Sequence, residues 1–109
     1  MTADPLDAER AAALAQVEAL TREFDEVVAA SKASNADDEH DPEGATIAFE
    51  RQQVAALLES TRARLADVEA ALARRAEGGY GICQTCGRPI APERLAARPS
   101  ARTCIDCAR

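Results

Sequence analysis

The chain is poor in the residues that build thick cores and reactive sites. One tyrosine, two phenylalanines and no tryptophan are its whole aromatic content, and much of its 47% hydrophobic fraction is alanine. That composition argues against a thick globular core, which leans on large aromatic side chains, and for thin helix-on-helix packing. A single histidine and no recognisable nucleophile–base pattern leave nothing to assign as catalytic, so an enzyme is the least expected class. No apolar stretch approaches the ~20 residues of a membrane span. Met1-Thr2-Ala3-Asp4-Pro5 lacks the basic segment and apolar core of a signal peptide. A soluble, cytoplasmic protein without membrane attachment is therefore expected.

Cysteine is absent before position 83 and then occurs four times, as Cys83-Gln-Thr-Cys86 and Cys104-Ile-Asp-Cys107, with 17 residues between the pairs. C-x2-C-x17-C-x2-C has the spacing of a four-thiolate zinc site. Each pair lets two thiolates converge on one ion from a tight turn, and Gly87 offers the positive φ that such a turn often needs. A closed four-cysteine site leaves no coordination position for substrate, so one structural Zn²⁺ is expected. Two disulfides would need an oxidising compartment, and a thioredoxin-like redox pair would need a βαβ context that is not visible.

The net charge of −6 is unevenly divided. Residues 1–77 carry 17 Asp/Glu against 8 Lys/Arg, whereas residues 78–109 carry Glu93 and Asp106 against Arg88, Arg94, Arg98, Arg102 and Arg109. Four thiolates and one Zn²⁺ would take the second segment from +3 to about +1. An acidic chain with few aromatics is a poor candidate for tight binding to duplex DNA, which depends on neutralising phosphates.

The acidic segment reads as two helices. Asp4-Pro5 has the form of an N-cap followed by a first-turn proline, and Asp41-Pro42 repeats it. Leu6, Arg10, Ala13, Val17, Leu20, Phe24, Val27 and Ser31 alternate in steps of four and three, as do Ile47, Arg51, Val54, Leu58, Thr61, Leu65, Val68 and Leu72. These are coiled-coil seams, weakened at the arginines and at Thr61. Arg74 and Arg75 suit the negative end of the second helix, which Gly78-Gly79 should terminate. The short connection makes the helices fold back antiparallel. The expected architecture is mainly α: an antiparallel two-helix coiled-coil hairpin over 1–77, its tip near 35–43, and a four-cysteine zinc module over 78–109. Tyr80, Ile82, Ile90 and Leu95 are expected to form an apolar cover for the zinc.

The tip, Asp37-Asp38-Glu39-His40-Asp41-Pro42-Glu43, concentrates five carboxylates in seven residues. It reads either as a solvated loop in which Asp41 caps the second helix, or as a group of carboxylates delivered into a narrow metal-containing or basic cavity.

The run Gly79-Tyr80-Gly81-Ile82-Cys83-Gln84-Thr85-Cys86-Gly87-Arg88-Pro89-Ile90, followed by Glu93-Arg94-Leu95-Ala96-Ala97-Arg98-Pro99 and Cys104-Ile105-Asp106-Cys107, closely resembles the DksA/TraR-type zinc finger. The acidic hairpin resembles that family's coiled coil in arrangement. The resemblance implies a bacterial transcription regulator that binds RNA polymerase rather than DNA and inserts its coiled coil into the secondary channel. Tip carboxylates, here Asp37, Asp38, Asp41 and Glu43, would then act near the catalytic Mg²⁺. Arg98 and Arg102 are candidates for a further partner contact from the finger. The tip departs from the family's Asp-x-x-Asp-x-Ala pattern. From Asp41, Gly44 and Thr46 stand at the second Asp and the Ala; from Asp38, Asp41 fits but Glu43 replaces the Ala. Some members act with the alarmone ppGpp. Here the chain stops two residues after Cys107, without the C-terminal helix that longer members use as an additional contact, so ppGpp is a weaker expectation than the polymerase. Two other readings are a zinc ribbon holding nucleic acid along Arg88, Arg94, Arg98 and Arg102, and a helical adaptor docking through outward-facing Val28, Phe49 and Leu57.

Overall fold

Asp4 starts the first helix, α1 (Pro5–Ser34), in the computed structural model of the protein. The structure describes residues 4–34 and 42–108, and among these the side chains of residues 34 and 42–44 are not described. The Asp4 carboxylate accepts the Leu6 backbone N–H at 2.9 Å, and its carbonyl accepts the Ala8 N–H at 2.9 Å. This is an aspartate N-cap ahead of a proline at the first helical position. The second helix, α2, runs from Pro42 to Glu77; Asp41, its expected cap, lies outside the described residues. Its other end is closed by Gly78 at φ 86°. The Gly79 N–H reaches the Arg74 carbonyl at 2.8 Å and the Gly78 N–H reaches that of Arg75 at 3.2 Å. These paired bonds satisfy two orphan carbonyls and make Gly78 the left-handed residue of a Schellman motif.

The chain divides into two compact units. One combines the start of α1, as far as Ala12, with everything from Arg64 onwards. In it Leu6, Val68 and Ala71 form a buried cluster against which Leu72 and Tyr80 pack. Arg75 donates to the Asp4 carboxylate and lies 3.6 Å from that of Asp7, while Glu9 faces Arg64 at 3.9 Å. As α1 advances from Asp4 to Glu9 its partners on α2 step back from Arg75 to Arg64, so the helices are antiparallel. The ion pairs are solvent-exposed and contribute little beside the apolar burial, each fully buried Leu or Val being worth about 1.5–3 kcal/mol.

The other unit, Ala13–Ala63, is built on Leu20, Val54 and Leu58, with Val17 and Phe24 packed against them. Thr61 is buried in this seam, and its hydroxyl is satisfied by the Leu57 carbonyl at 2.8 Å. The four-and-three series therefore marks the packed faces, with two exceptions. Arg10 and Arg51 are exposed, because the cost of burying an unpaired guanidinium exceeds any gain from keeping the seam regular. Phe49 and Leu57 point outwards, at 62% and 54% exposure, whereas Val28 is half-buried rather than outward-facing.

The cap has a pH consequence. The Leu6 N–H, and after it Arg75, hold the Asp4 carboxyl below the ordinary aspartate value of 3.8. A carboxyl depressed on folding stabilises the fold above its unfolded pKa, and that contribution is lost as pH falls through the folded value. The Tm of Asp4→Asn is therefore expected to lie below that of wild type at pH 7, with the gap closing below about pH 4. A gap that persists unchanged at low pH would remove the charge from the account.

Candidate metal centre

The first cysteine pair sits on a tight antiparallel turn. Ile82 bridges Pro89, the Ile90 N–H bonds the Gly81 carbonyl at 2.7 Å, and the Cys83 N–H bonds the Arg88 carbonyl at 2.8 Å. The chain reverses through Gly87, whose N–H closes on the Cys83 carbonyl at 2.9 Å. Gly87 has φ 76°, and a Cβ there would meet nothing within 4 Å. Glycine is needed at that position for its backbone conformation, not for space. The second pair lies on its own turn, with Cys104 accepting the N–H groups of Cys107 at 3.1 Å and Ala108 at 3.0 Å.

One bond ties the first turn to the segment leading into the second, and another braces that segment against a short helix. The Gln84 N–H reaches the Arg102 carbonyl at 2.9 Å, and Arg94 Nε, on the short helix α3 (Pro92–Ala97), reaches the Thr103 carbonyl at 2.9 Å. The four Sγ atoms all lie within 4.8 Å of one another. Cys86 Sγ and Cys104 Sγ are 3.8 Å apart, matching the edge of about 3.8 Å that a tetrahedron of 2.3 Å Zn–S bonds requires. Disulfide sulfurs would be about 2.0 Å apart, and all four cysteines are free. The donor set and its spacing fit one closed zinc site.

The thiols differ in acidity. Backbone N–H groups of Cys86 and then Cys104 hold the Cys83 thiol down to about 6. Hydrogen bonding with the Cys104 thiol, and burial, push Cys107 up to about 12. A divalent ion bound here would hold the four sulfurs as thiolates and compensate their charge.

The expected apolar cover over the metal is only partly present. Ile90 is buried, but Ile82 is 40% exposed, and Leu95 is half-buried with its Cδ1 3.5 Å from where a Gly81 Cβ would sit. Tyr80 turns away from this role. Its ring packs on the Leu6–Val68–Ala71 cluster, and its hydroxyl, pushed up in pKa by burial, donates to the Pro99 carbonyl at 2.8 Å. Nothing in the sequence near position 80 distinguishes these two destinations, because the partner residues lie at positions 6, 68 and 99.

Arg98 and Arg102 are exposed and, with Arg94, Gln84 and Asp67, line a polar cleft beside the metal turns. Asp37, Asp38, His40 and Asp41 lie outside the described residues, and Glu43 belongs to α2 with its side chain undescribed. No helix among the described residues is long and apolar enough to cross a membrane.

The pattern of the prokaryotic dksA/traR C4-type zinc finger matches residues 78–109. The solved structure of transcription factor DksA2 from Pseudomonas aeruginosa aligns with 93% of this chain and 78% of its own, at 31% identity and a TM-score of 0.57. The chain belongs to the DksA/TraR family. Its four cysteines are the ligands of that family's C4-type finger and hold one structural zinc. Among curated relatives, general stress protein 16O of Bacillus subtilis (strain 168) is 32% identical over 91 residues, 84% of this chain and 52% of that protein. The RNA polymerase-binding transcription factor DksA of Haemophilus influenzae is 45% identical over 40 residues, 37% of this chain and 28% of that protein. The chain spans about half or less of the length of the curated relatives it matches.

Proposed function

We propose that this DksA/TraR-family protein is a transcription regulator that binds RNA polymerase through the secondary channel and brings its acidic tip near the catalytic centre. The observation that carries this reading is the 31%-identical likeness to transcription factor DksA2 over 93% of the chain, which takes in the paired helices as well as the finger. In this reading the hairpin of residues 1–77 presents Asp37, Asp38, Asp41 and Glu43 at its tip, and residues 78–109 anchor its base. A carboxylate beside a catalytic Mg²⁺ alters its coordination or repels substrate phosphates, which changes how long promoter complexes last. Arg98 and Arg102 supply a secondary contact from the finger. The protein acts by occupying a site, with no reaction of its own.

The test is binding of the purified protein to core RNA polymerase in competition with a known secondary-channel factor, alongside the double variant Asp38→Asn/Asp41→Asn. Wild type is expected to compete. The double variant is expected to keep its zinc and helicity and to lose its effect on transcription. Absence of binding would overturn the reading, and full activity of the variant would reduce the tip to a turn.

A further inference from the structure

Tyr80 occupies an unusual position between two structures that form from distant parts of the chain. On one side its ring completes the apolar cluster of Leu6, Val68 and Ala71, where the start of α1 meets the end of α2. On the other its hydroxyl donates to the Pro99 carbonyl, in the segment that leads through Arg102 to Cys104. That segment is bonded in turn to the first ligand turn, by the Gln84 N–H to the Arg102 carbonyl at 2.9 Å. The backbone on either side of Tyr80 is fixed by Gly78 and Gly81, both at φ 86°, and by the Ile90–Gly81 bond. The side chain therefore cannot easily satisfy one partner while leaving the other.

We infer that Tyr80 couples the metal centre to the pairing of α1 and α2, so that zinc retention and helix pairing stabilise each other through this one side chain. Apart from Cys83, the finger's buried apolar content is Ile90, so the metal is what holds the ligand turns together. When they loosen, the Pro99 carbonyl is no longer held against the tyrosine, and a half-buried hydroxyl without an acceptor is costly. The ring is then drawn towards water, and Leu6 loses part of its cover. Linkage makes the coupling reciprocal: the factor by which bound zinc favours the packed cluster around Leu6 equals the factor by which that packed cluster favours zinc binding. The inference concerns the zinc-bearing end of the protein and holds or fails independently of polymerase binding.

The test uses the full chain. Zinc affinity is measured by competition with a chromogenic chelator, and hydrogen exchange is followed at the amides of residues 6–10 and 68–72, with and without zinc. In wild type, zinc removal is expected to speed exchange at both sets. Tyr80→Phe keeps the ring and loses the donor; it should weaken zinc affinity roughly fivefold, the scale of one ordinary hydrogen bond. Tyr80→Ala should weaken it further and make exchange at residues 68–72 insensitive to zinc. Leu58→Ala, in the cluster that does not include Tyr80, should lower Tm while leaving zinc affinity within about twofold, as expected for sites that share no partners. Wild-type exchange indifferent to zinc would overturn the coupling. So would unchanged zinc affinity in both tyrosine variants, or a Leu58→Ala effect as large as that of Tyr80→Ala.

Discussion

Cys83→Ser is expected to abolish zinc binding and to unfold residues 78–109 while leaving most of the helix content in place. Cys83 is the most buried of the four ligands, at 2% exposure, and its Sγ also accepts the Cys86 N–H at 3.5 Å. A serine hydroxyl does not ionise near neutral pH and cannot replace the thiolate. The finger has little else to fold around, with a six-residue helix, one isolated bridge and Ile90 as its buried apolar side chain. Structural zinc contributes about 10–16 kcal/mol to folding in small zinc fingers, far more than such a remnant supplies. The bound zinc should fall from one per chain to none, and amides protected in the turns, such as those of Cys83 and Ile90, should exchange freely. Strong chelators should reproduce this in wild type, and acidification should favour release because the ligands bind as thiolates. A chelated protein that kept those amides protected would show that the finger folds without its metal.

Leu6→Ala is expected to destabilise the protein by about 2–5 kcal/mol, the range for truncating a fully buried leucine. That is on the order of 10 °C or more in Tm for a domain of this size. Leu6 is 2% exposed and packs against Val68 and Ala71, which are backbone-proximal side chains with little freedom to move into the space left behind. Leu57→Ala is the control: that side chain is 54% exposed, and its truncation should cost no more than about 0.5 kcal/mol. Thermal and denaturant melts of the two variants would decide the matter. Equal losses would mean that the first turn of α1 is not packed as described.

Both expectations rest on features of different legibility. The cysteine spacing, the Asp4 cap, the glycine stop after Glu77 and the positive φ at Gly87 could all be read before any fold was known. Each is a local matter: a turn, a cap or a chelating pair depends on residues within a few positions of one another, and so does the four-and-three rhythm that gave the two helices. The seam was also right in its main members, because a helical face repeats at fixed intervals whatever it meets.

What covers a face is a different kind of question. Ala71 is fully buried, yet nothing separates it in sequence from the exposed alanines around it, such as Ala70 and Ala73. Its burial is decided by Leu6, supplied by the start of the other helix. By position alone Arg75 suits the helix dipole; the structure also sets it against Asp4 and Asp7, a pairing that exists only because α1 begins where α2 ends. Tyr80 belongs to the same class, a residue three positions from a zinc ligand whose ring packs on the hairpin. The two long helices and the four-cysteine pattern are legible from short-range geometry, whereas α3, where Pro92 by itself reads as part of a rigid connection, is not. How the finger and the helices are joined is settled in the folded protein, because that depends on which distant surfaces meet.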